Sequence, residues 1–288
     1  MALAAGAALF AGSYLAAAAT APSLGPAQPF AVLAGTTVTN TGPTTITGNL
    51  GISPGSAITG QSSITIIGQI HAADAVALGA QAGNTAAFTT LDQVCDVTYP
   101  GVGKDLVGLT LVPGVYCASA FTLTGTLTLS GSGPYIFKSA ATLITSGTAR
   151  VVGGDPCNVW WRVVSSATLG VNTSLVGNVL ALTSISLATG ANLNGRALAQ
   201  SGAVTMDSNT ISNAVCVAAP GPTASPAPTA SVAPASAVPT VPPTYTDAPP
   251  SQGGSSPWLL LLLVASAVMM LGILVLDIGR RSYRRRAQ

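Results

Sequence analysis

Between residues 175 and 199 the chain repeats itself. Leu175-Val176-Gly177-Asn178-Val179-Leu180-Ala181 returns as Leu193-Asn194-Gly195-Arg196-Ala197-Leu198-Ala199, an offset of 18. Ala167-Thr168-Leu169 aligns with Ile185-Ser186-Leu187 at the same offset and with Val204-Thr205-Met206 one residue later. Ala141-Thr142-Leu143 joins this column after a longer insertion. Nearer the start, Thr47-Gly48-Asn49-Leu50 is echoed by Ile67-Gly68-Gln69-Ile70 at an offset of 20. A unit this short cannot bury its own apolar side, so successive units must stack into one continuous core.

Within the units apolar and hydroxyl residues alternate, as in Phe121-Thr122-Leu123-Thr124, and Gly, Asn and Pro punctuate every few residues. Period two sends alternate side chains to opposite sides of a strand. Short strands joined by tight turns at this interval predict a mainly β chain coiled as a β-solenoid. A β-sandwich gives alternating strands too, but has no reason to repeat every 18–20 residues. The alignment predicts an inward column of Leu143, Leu169, Leu187 and Met206. Its outward neighbours are Thr142, Thr168, Ser186 and Thr205.

One stretch breaks the pattern. From about 72 to 91 the residues are Ala-rich, with Asp74 in the first turn, where a carboxylate complements the helix dipole. Gly79 and Gly83 weaken a helix there, so packing along the solenoid must hold it. His71, just ahead, reads as a hydrogen-bonded structural residue rather than a ligand.

Composition narrows the function. Charged residues make up 6% of the chain, and there is no Glu, against roughly 25% charged in ordinary soluble domains. Catalysis of the kind carried by clustered Asp with Arg or Lys has little to work with: of the head's acids only Asp92 and Asp96 are close in sequence. We therefore expect no enzyme, no cofactor and no metal site. The net charge of +2 conceals a split, because Arg280, Arg281, Arg284, Arg285 and Arg286 crowd the last nine residues. The body offers no basic patch for nucleic acid.

Those arginines follow Trp258–Leu276, 19 residues without a charge. As a helix this run is about 28 Å long, matching a bilayer core of about 30 Å. Residues 258–278 are read as a single transmembrane helix, with 279–288 a basic cytoplasmic tail by the positive-inside rule. Residues 217–257 contain eleven of the twenty prolines and read as a stalk. Residues 1–21 are apolar and end near Ala17-Ala18-Ala19, as a signal peptide does, although a basic start is missing. An uncleaved N-terminal anchor is the second reading. Either exports the head, residues 30–216, to the cell surface. There Cys95, Cys117, Cys157 and Cys216 suit disulfides better than metal, having no C-x-x-C spacing. Of the three pairings open to them we favour Cys95–Cys117 and Cys157–Cys216.

From about 30 to 216 the chain resembles the ice-binding protein family. The resemblance is carried in order by Phe30-Ala31-Val32-Leu33-Ala34-Gly35, Gly48-Asn49-Leu50-Gly51-Ile52-Ser53-Pro54-Gly55 and Ile70-His71-Ala72-Ala73-Asp74-Ala75. Leu109–Tyr116, Cys157-Asn158-Val159-Trp160-Trp161, Gly177–Ala181 and Asn194–Ala199 continue it. It implies a discontinuous right-handed β-solenoid with a long α-helix alongside, whose N-terminal rungs are separated from the C-terminal ones by that helix. It also implies a flat face that binds ice or ordered water, often marked Thr-Ala/Gly-X-Thr/Asn. Thr189-Gly190-Ala191-Asn192 fits that pattern, Thr145-Ser146-Gly147-Thr148 nearly so, and Val171-Asn172-Thr173-Ser174 departs from it. The candidate ice-contacting residues are thus Thr142, Thr168, Ser186, Thr189, Asn192 and Thr205. The alternative is a non-enzymatic adhesin whose head binds a glycan or another cell, for which an outward Trp160 or Trp161 would make a sugar platform.

Overall fold

The structure, a computed structural model, describes residues 18–213. The predicted stalk, membrane helix and basic tail, with nearly all of the N-terminal hydrophobic segment, lie outside the described residues. Among the described residues no helix is long and apolar enough to cross a membrane.

The repeats stack as parallel strands, in the register that their offsets require. Leu175 pairs with Leu193 and Ala181 with Ala199; Ala167 pairs with Ile185, Ile185 with Val204 and Thr47 with Ile67. Within the paired strands Ser174–Ala181 and Asn192–Ala199, a Cβ on Gly195 would lie 1.9 Å from the carbonyl oxygen of Gly177, and Gly195 has φ +151°. Only glycine permits coils to stack this closely there.

One alignment is corrected. Leu143 pairs with Ala167 and Ile144 with Thr168, so Leu143 does not share a column with Leu169, nor Thr142 with Thr168. A slip of two residues leaves every side chain on its original side, and the in–out pattern cannot detect it. Ladder hydrogen bonds decide the register instead, with Leu143 N–H donating to Ser166 O at 3.3 Å. Thr145, inward in this register, pairs its hydroxyl with that of Thr173 at 2.7 Å and accepts from Gly170 N–H at 2.9 Å.

The chain does not stack in the order of its sequence. In an eight-stranded sheet the order runs Ala57–Thr59, Thr37–Thr41, Val204–Asp207, Ile185–Leu187, Ala167–Leu169, Leu143–Thr145, Phe121–Leu123 and Lys104–Asp105. The first coils of the chain thus sit on the last ones. Phe30–Ala34 lies between Asn192–Ala199 and Asn49–Ile52, and Thr44–Thr47 between Thr210–Ser212 and Ile64–Ile67. This is the start, departure and return that the family resemblance implies.

The α-helix, Ala75–Thr90, makes the departure. Its 16 residues rise about 24 Å, or about five coils at 4.8 Å each. It carries the chain from Ile70–Ala72, at one end of the stack, to Val97–Thr98 at the other. Asp74 is its N-cap rather than a first-turn residue, accepting from Ala77 N–H at 2.8 Å. His71 Nδ1 lies 2.8 Å from the other Asp74 oxygen, the structural role expected of it. The Ala77 amide first, and His71 second, hold the Asp74 carboxyl below its ordinary pKa. Most of the buried face is small, with Ala77, Ala80, Gly83 and Ala87 beside Asn84 and a single large residue, Phe88, while Val76 and Leu78 are exposed. Small residues bring helix and sheet close, and against this face pack Leu24, Leu33, Ile136, Leu180 and Leu198.

Inside the coils, Leu, Val and Ala fill parallel columns, each buried Leu stabilising by about 1.5–3 kcal/mol. Tyr116, Phe137 and Trp161 stack through the lower coils, with ring centroids 5.5 and 4.1 Å apart. Trp161 points into this core and Trp160 into the helix interface, both buried. Neither is the outward platform considered from sequence, because the helix covers the outer side of their strand.

Arg196, also buried, joins distant segments. Its guanidinium donates to Gln28 O at 2.9 and 3.2 Å and to Asn178 Oδ1 at 2.8 Å. Burial pushes its pKa down to about 10, leaving it charged at neutral pH. The Cys95–Cys117 disulfide is formed. Cys157 is disulfide-bonded as well, and its expected partner Cys216 lies outside the described residues.

Candidate functional site

The coils present three flat sides, and the helix covers one of them. The eight-stranded sheet forms a second, open side. Its central outward column is continuous: Thr59 pairs with Thr39, Thr39 with Thr205, Thr205 with Ser186, and Ser186 with Thr168. It continues through Ile144 and Thr122 to Asp105. Neighbours along this column are about 4.8 Å apart, and positions two residues along a strand about 6.7 Å. Each β-branched Thr has few rotamers, so the hydroxyls and methyls are ordered before anything binds.

Charge is confined to the margins of this side. No Lys or Arg stands in the central column, and its acid, Asp105, lies on the end strand. Asp105 accepts from the Thr124 hydroxyl at 2.6 Å. Asp207 stands two residues beyond Thr205, where it accepts from Thr189 and Ser208 hydroxyls. Both carboxylates are tied to neighbouring hydroxyls.

The sequence-derived candidates do not all meet here. Thr168, Ser186 and Thr205 occupy the central column as expected. Thr142 is displaced one column sideways, level with Ser166, because Ile144 takes the position beside Thr168. Thr189 lies in the turn after Ile185–Leu187, an exposed corner residue bound to Asp207. Asn192 begins the next strand and faces outward on the third side, with Nδ2 donating to Gly190 O at 3.2 Å. The Thr-Gly-X-Asn match therefore straddles a corner. In the near-match beginning at Thr145, that hydroxyl is buried rather than displayed.

Thr39, Thr59 and Thr122 complete the column and were missed. Thr122 was legible in its alternation with Phe121 and Leu123. Thr39 and Thr59 had the same local signal, but nothing local shows that their coils stack on Val204–Asp207.

The third side is less uniform. Its column runs Thr126, Arg150, Ser174, Asn192, Thr210, Thr45 and Thr65, interrupted by the Arg150 cation. Val152 is exposed beside it. No group of three or more His, Cys, Asp or Glu is placed to hold a metal ion among the described residues.

The ice-binding-like family model matches residues 32–212. The chain is also 48% identical over 208 residues to an ice-binding protein of Nostoc sp. (strain HG1), covering 68% of this chain and 76% of that protein. The chain belongs to the ice-binding-like family. An ice-binding protein of Flavobacterium frigoris (strain PS1) is 31% identical over 212 residues, 66% of this chain and 75% of the relative. Among solved structures, an ice-binding protein from an Antarctic biological consortium superposes with a TM-score of 0.65 at 40% identity, covering 69% of this chain and 93% of its own. The DUF3494 domain of a Shewanella frigidimarina ice-binding protein superposes at 0.61 with 28% identity, over 69% and 99% of the two chains. This ice-binding-like chain thus shares with those proteins the parallel coils on which its open side is built.

Proposed function

We propose that this protein adsorbs to ice through the open side of its eight-stranded sheet, with Thr59, Thr39, Thr205, Ser186 and Thr168 at the centre of the contact. The observation that carries this reading is the unbroken in-register column of hydroxyl side chains, free of Lys and Arg. Ice offers a rigid periodic array of water and no charge, so its binder needs order and flatness more than strong individual contacts. Thr meets both needs: its methyl constrains adjacent water while its hydroxyl joins the network. The family relationship supports ice as the ligand, since the relatives named above are ice-binding proteins.

We further propose that the head acts at the cell surface. The reading of residues 258–278 as a membrane span, with Pro-rich 217–257 as spacer, supports a tether that keeps a cell at ice.

Thermal hysteresis and ice recrystallisation, measured on the full chain in detergent, test the reading. The parent is expected to be active. Thr168→Tyr combined with Thr205→Tyr is expected to abolish activity, because two protruding rings lift the face off a plane. Asn192→Tyr with Thr210→Tyr, the same change on the third side, is expected to leave activity in place. Equal activity in parent and the first double variant rejects this face.

A further inference from the structure

We infer that two copies of this chain join end to end, strand edge to strand edge, through the coil formed by Ala57–Thr59, Ile64–Ile67 and Ile70–Ala72. That coil stands at one end of the stack, and each of its strands is paired along one edge only. Its inward side chains are Ile58, Ile64, Ile66 and Ile70. Their neighbours one coil further in, Val38, Thr44, Ile46 and Leu50, are at most 1% exposed. Ile58, Ile64 and Ile66 are only partly buried, and Ile70 is 38% exposed. The core columns thus end on four isoleucines with no coil above them among the described residues. Exposed strand edges are usually blunted by charge, by Pro or by brevity. From Ala57 to Ile70 there is no Asp, Glu, Lys, Arg or Pro. The opposite end of the stack has all three devices: Val97–Thr98, Lys104–Asp105 and Thr110–Leu111 are two residues each, with Lys104 and Asp105 in them and Pro100 and Pro113 close by. One end is therefore open to pairing and the other is closed to it.

The occupant is a second copy, because this edge matches itself. A two-fold axis through Ile58 lays Ala57–Thr59 antiparallel to the same strand of the second copy, with Ile58 opposite Ile58. It also sets Ile64–Ile67 of each copy against Ile70–Ala72 of the other. Every contact then joins uncharged edges, and isoleucine meets isoleucine inside one continuous core. The same axis turns both open sides to one plane, a consequence that matters only on the function proposed above, whereas the pairing does not rest on it. The chain that flanks the described residues starts elsewhere. At the entry, Thr20 is held by Gln93, beyond the C-terminal end of the helix, at 2.9 and 2.6 Å. At the exit, Asn213 N–H donates to Thr47 O at 3.0 Å, and the strand before it is third from the open end. The bonded Cys157, whose expected partner is Cys216, precedes a strand three places further along the same order. A bond there leads the chain away from the end coil and leaves it free for a second copy.

The test uses the full 288-residue chain in density-matched detergent. Sedimentation equilibrium is expected to show monomer and dimer in exchange. Ile58→Lys sets like charges opposite each other at the axis, and is expected to weaken association at least tenfold with the circular dichroism of the strands unchanged. A monomeric parent overturns the proposal, and so does a dimer that Ile58→Lys leaves equally tight, since its contact lies elsewhere. Ile58→Cys supplies a second reading should the Lys variant not fold. Under mild oxidation it is expected to give a disulfide-linked dimer on a non-reducing gel. Val102→Cys, 98% exposed at the opposite end, is expected to give at least tenfold less. Absence of the Ile58→Cys dimer, or equal yields from the two variants, overturns the assigned axis. Neither readout depends on ice.

Discussion

Ile144 stands in register with Thr168 on the adjacent strand, and both side chains leave the core on the open side. Ile144 is 44% exposed. It therefore places a bulky aliphatic group between Thr168 and Thr122, and shortens the continuous hydroxyl run to the coils above it. Ile144→Thr is expected to extend that run and to raise thermal hysteresis above the parent at equal concentration. As a surface change in a strand it should alter stability by no more than about 0.5 kcal/mol. Activity at or below that of the parent shows that the lower coils do not reach ice.

The Cys95–Cys117 bond closes the chain just after the helix against the first long coil, with a sequence separation of 22. Closing a loop of this size restricts the unfolded chain by about 3 kcal/mol. Cys95→Ser with Cys117→Ser is expected to lower stability by that order in a urea titration under non-reducing conditions. The protein should still fold, because the coils are stacked by their own ladders. An unchanged midpoint means the loop is already restricted when unfolded.

Asp92 fastens the C-terminal end of the helix. Its carboxylate meets Lys138 Nζ at 2.7 Å and Arg162 Nη2 at 3.5 Å. The Lys138 hydrogen bond first, and the Arg162 charge second, hold its pKa below the ordinary carboxylate value. A depressed folded pKa stabilises above the unfolded value, near 3.9, and the contribution is lost as pH falls through the folded one. Asp92 is 57% exposed, so solvent screening limits the pair to about 1 kcal/mol or less. Asp92→Asn should be less stable than the parent at pH 7, and the two should converge as pH falls through the depressed folded pKa of Asp92. Chemical denaturation against pH checks this, and a constant gap at all pH values contradicts it.

Gly83 sits where the helix crosses the segment that leads to the first strand. A Cβ there would lie 2.5 Å from Leu24 O, a backbone atom that cannot swing aside. Ala in place of Gly within a helix is worth up to about 1 kcal/mol in propensity, while overpacking costs about 1–3 kcal/mol. Gly83→Ala is therefore expected to destabilise, with a lower melting temperature. A rise in melting temperature means the helix can move off Leu24.

Much of this was legible in sequence, at particular places. The match of Leu175–Ala181 to Leu193–Ala199, seven residues at an offset of 18, carried both the coiling and the register. The Ala-rich segment predicted a helix over about 72–91, found at Ala75–Thr90. Thr168, Ser186 and Thr205 were read into one outward column and lie there. What failed did so for identifiable reasons. Thr142 was misplaced because a two-residue slip is silent in a period-two pattern. Thr189 and Asn192 were joined because a motif three residues apart appears local, yet a corner between two sides runs through it. Trp160 and Trp161 do alternate across their strand, but alternation cannot show that a helix closes the outer side.

The sequence by itself determined that the chain coils, which residues point inward, and that its surface is dominated by hydroxyls rather than charges. Those properties are local or nearly so: consecutive coils are neighbours in space, and their spacing along the chain records their pairing. Only the tertiary structure decided which hydroxyls share a side. The column passes from Thr205 to Thr39, residues at opposite ends of the described chain, because the helix returns the chain to the far end of the stack. Backbone ladders set the register at that junction, and no spacing in the sequence records it.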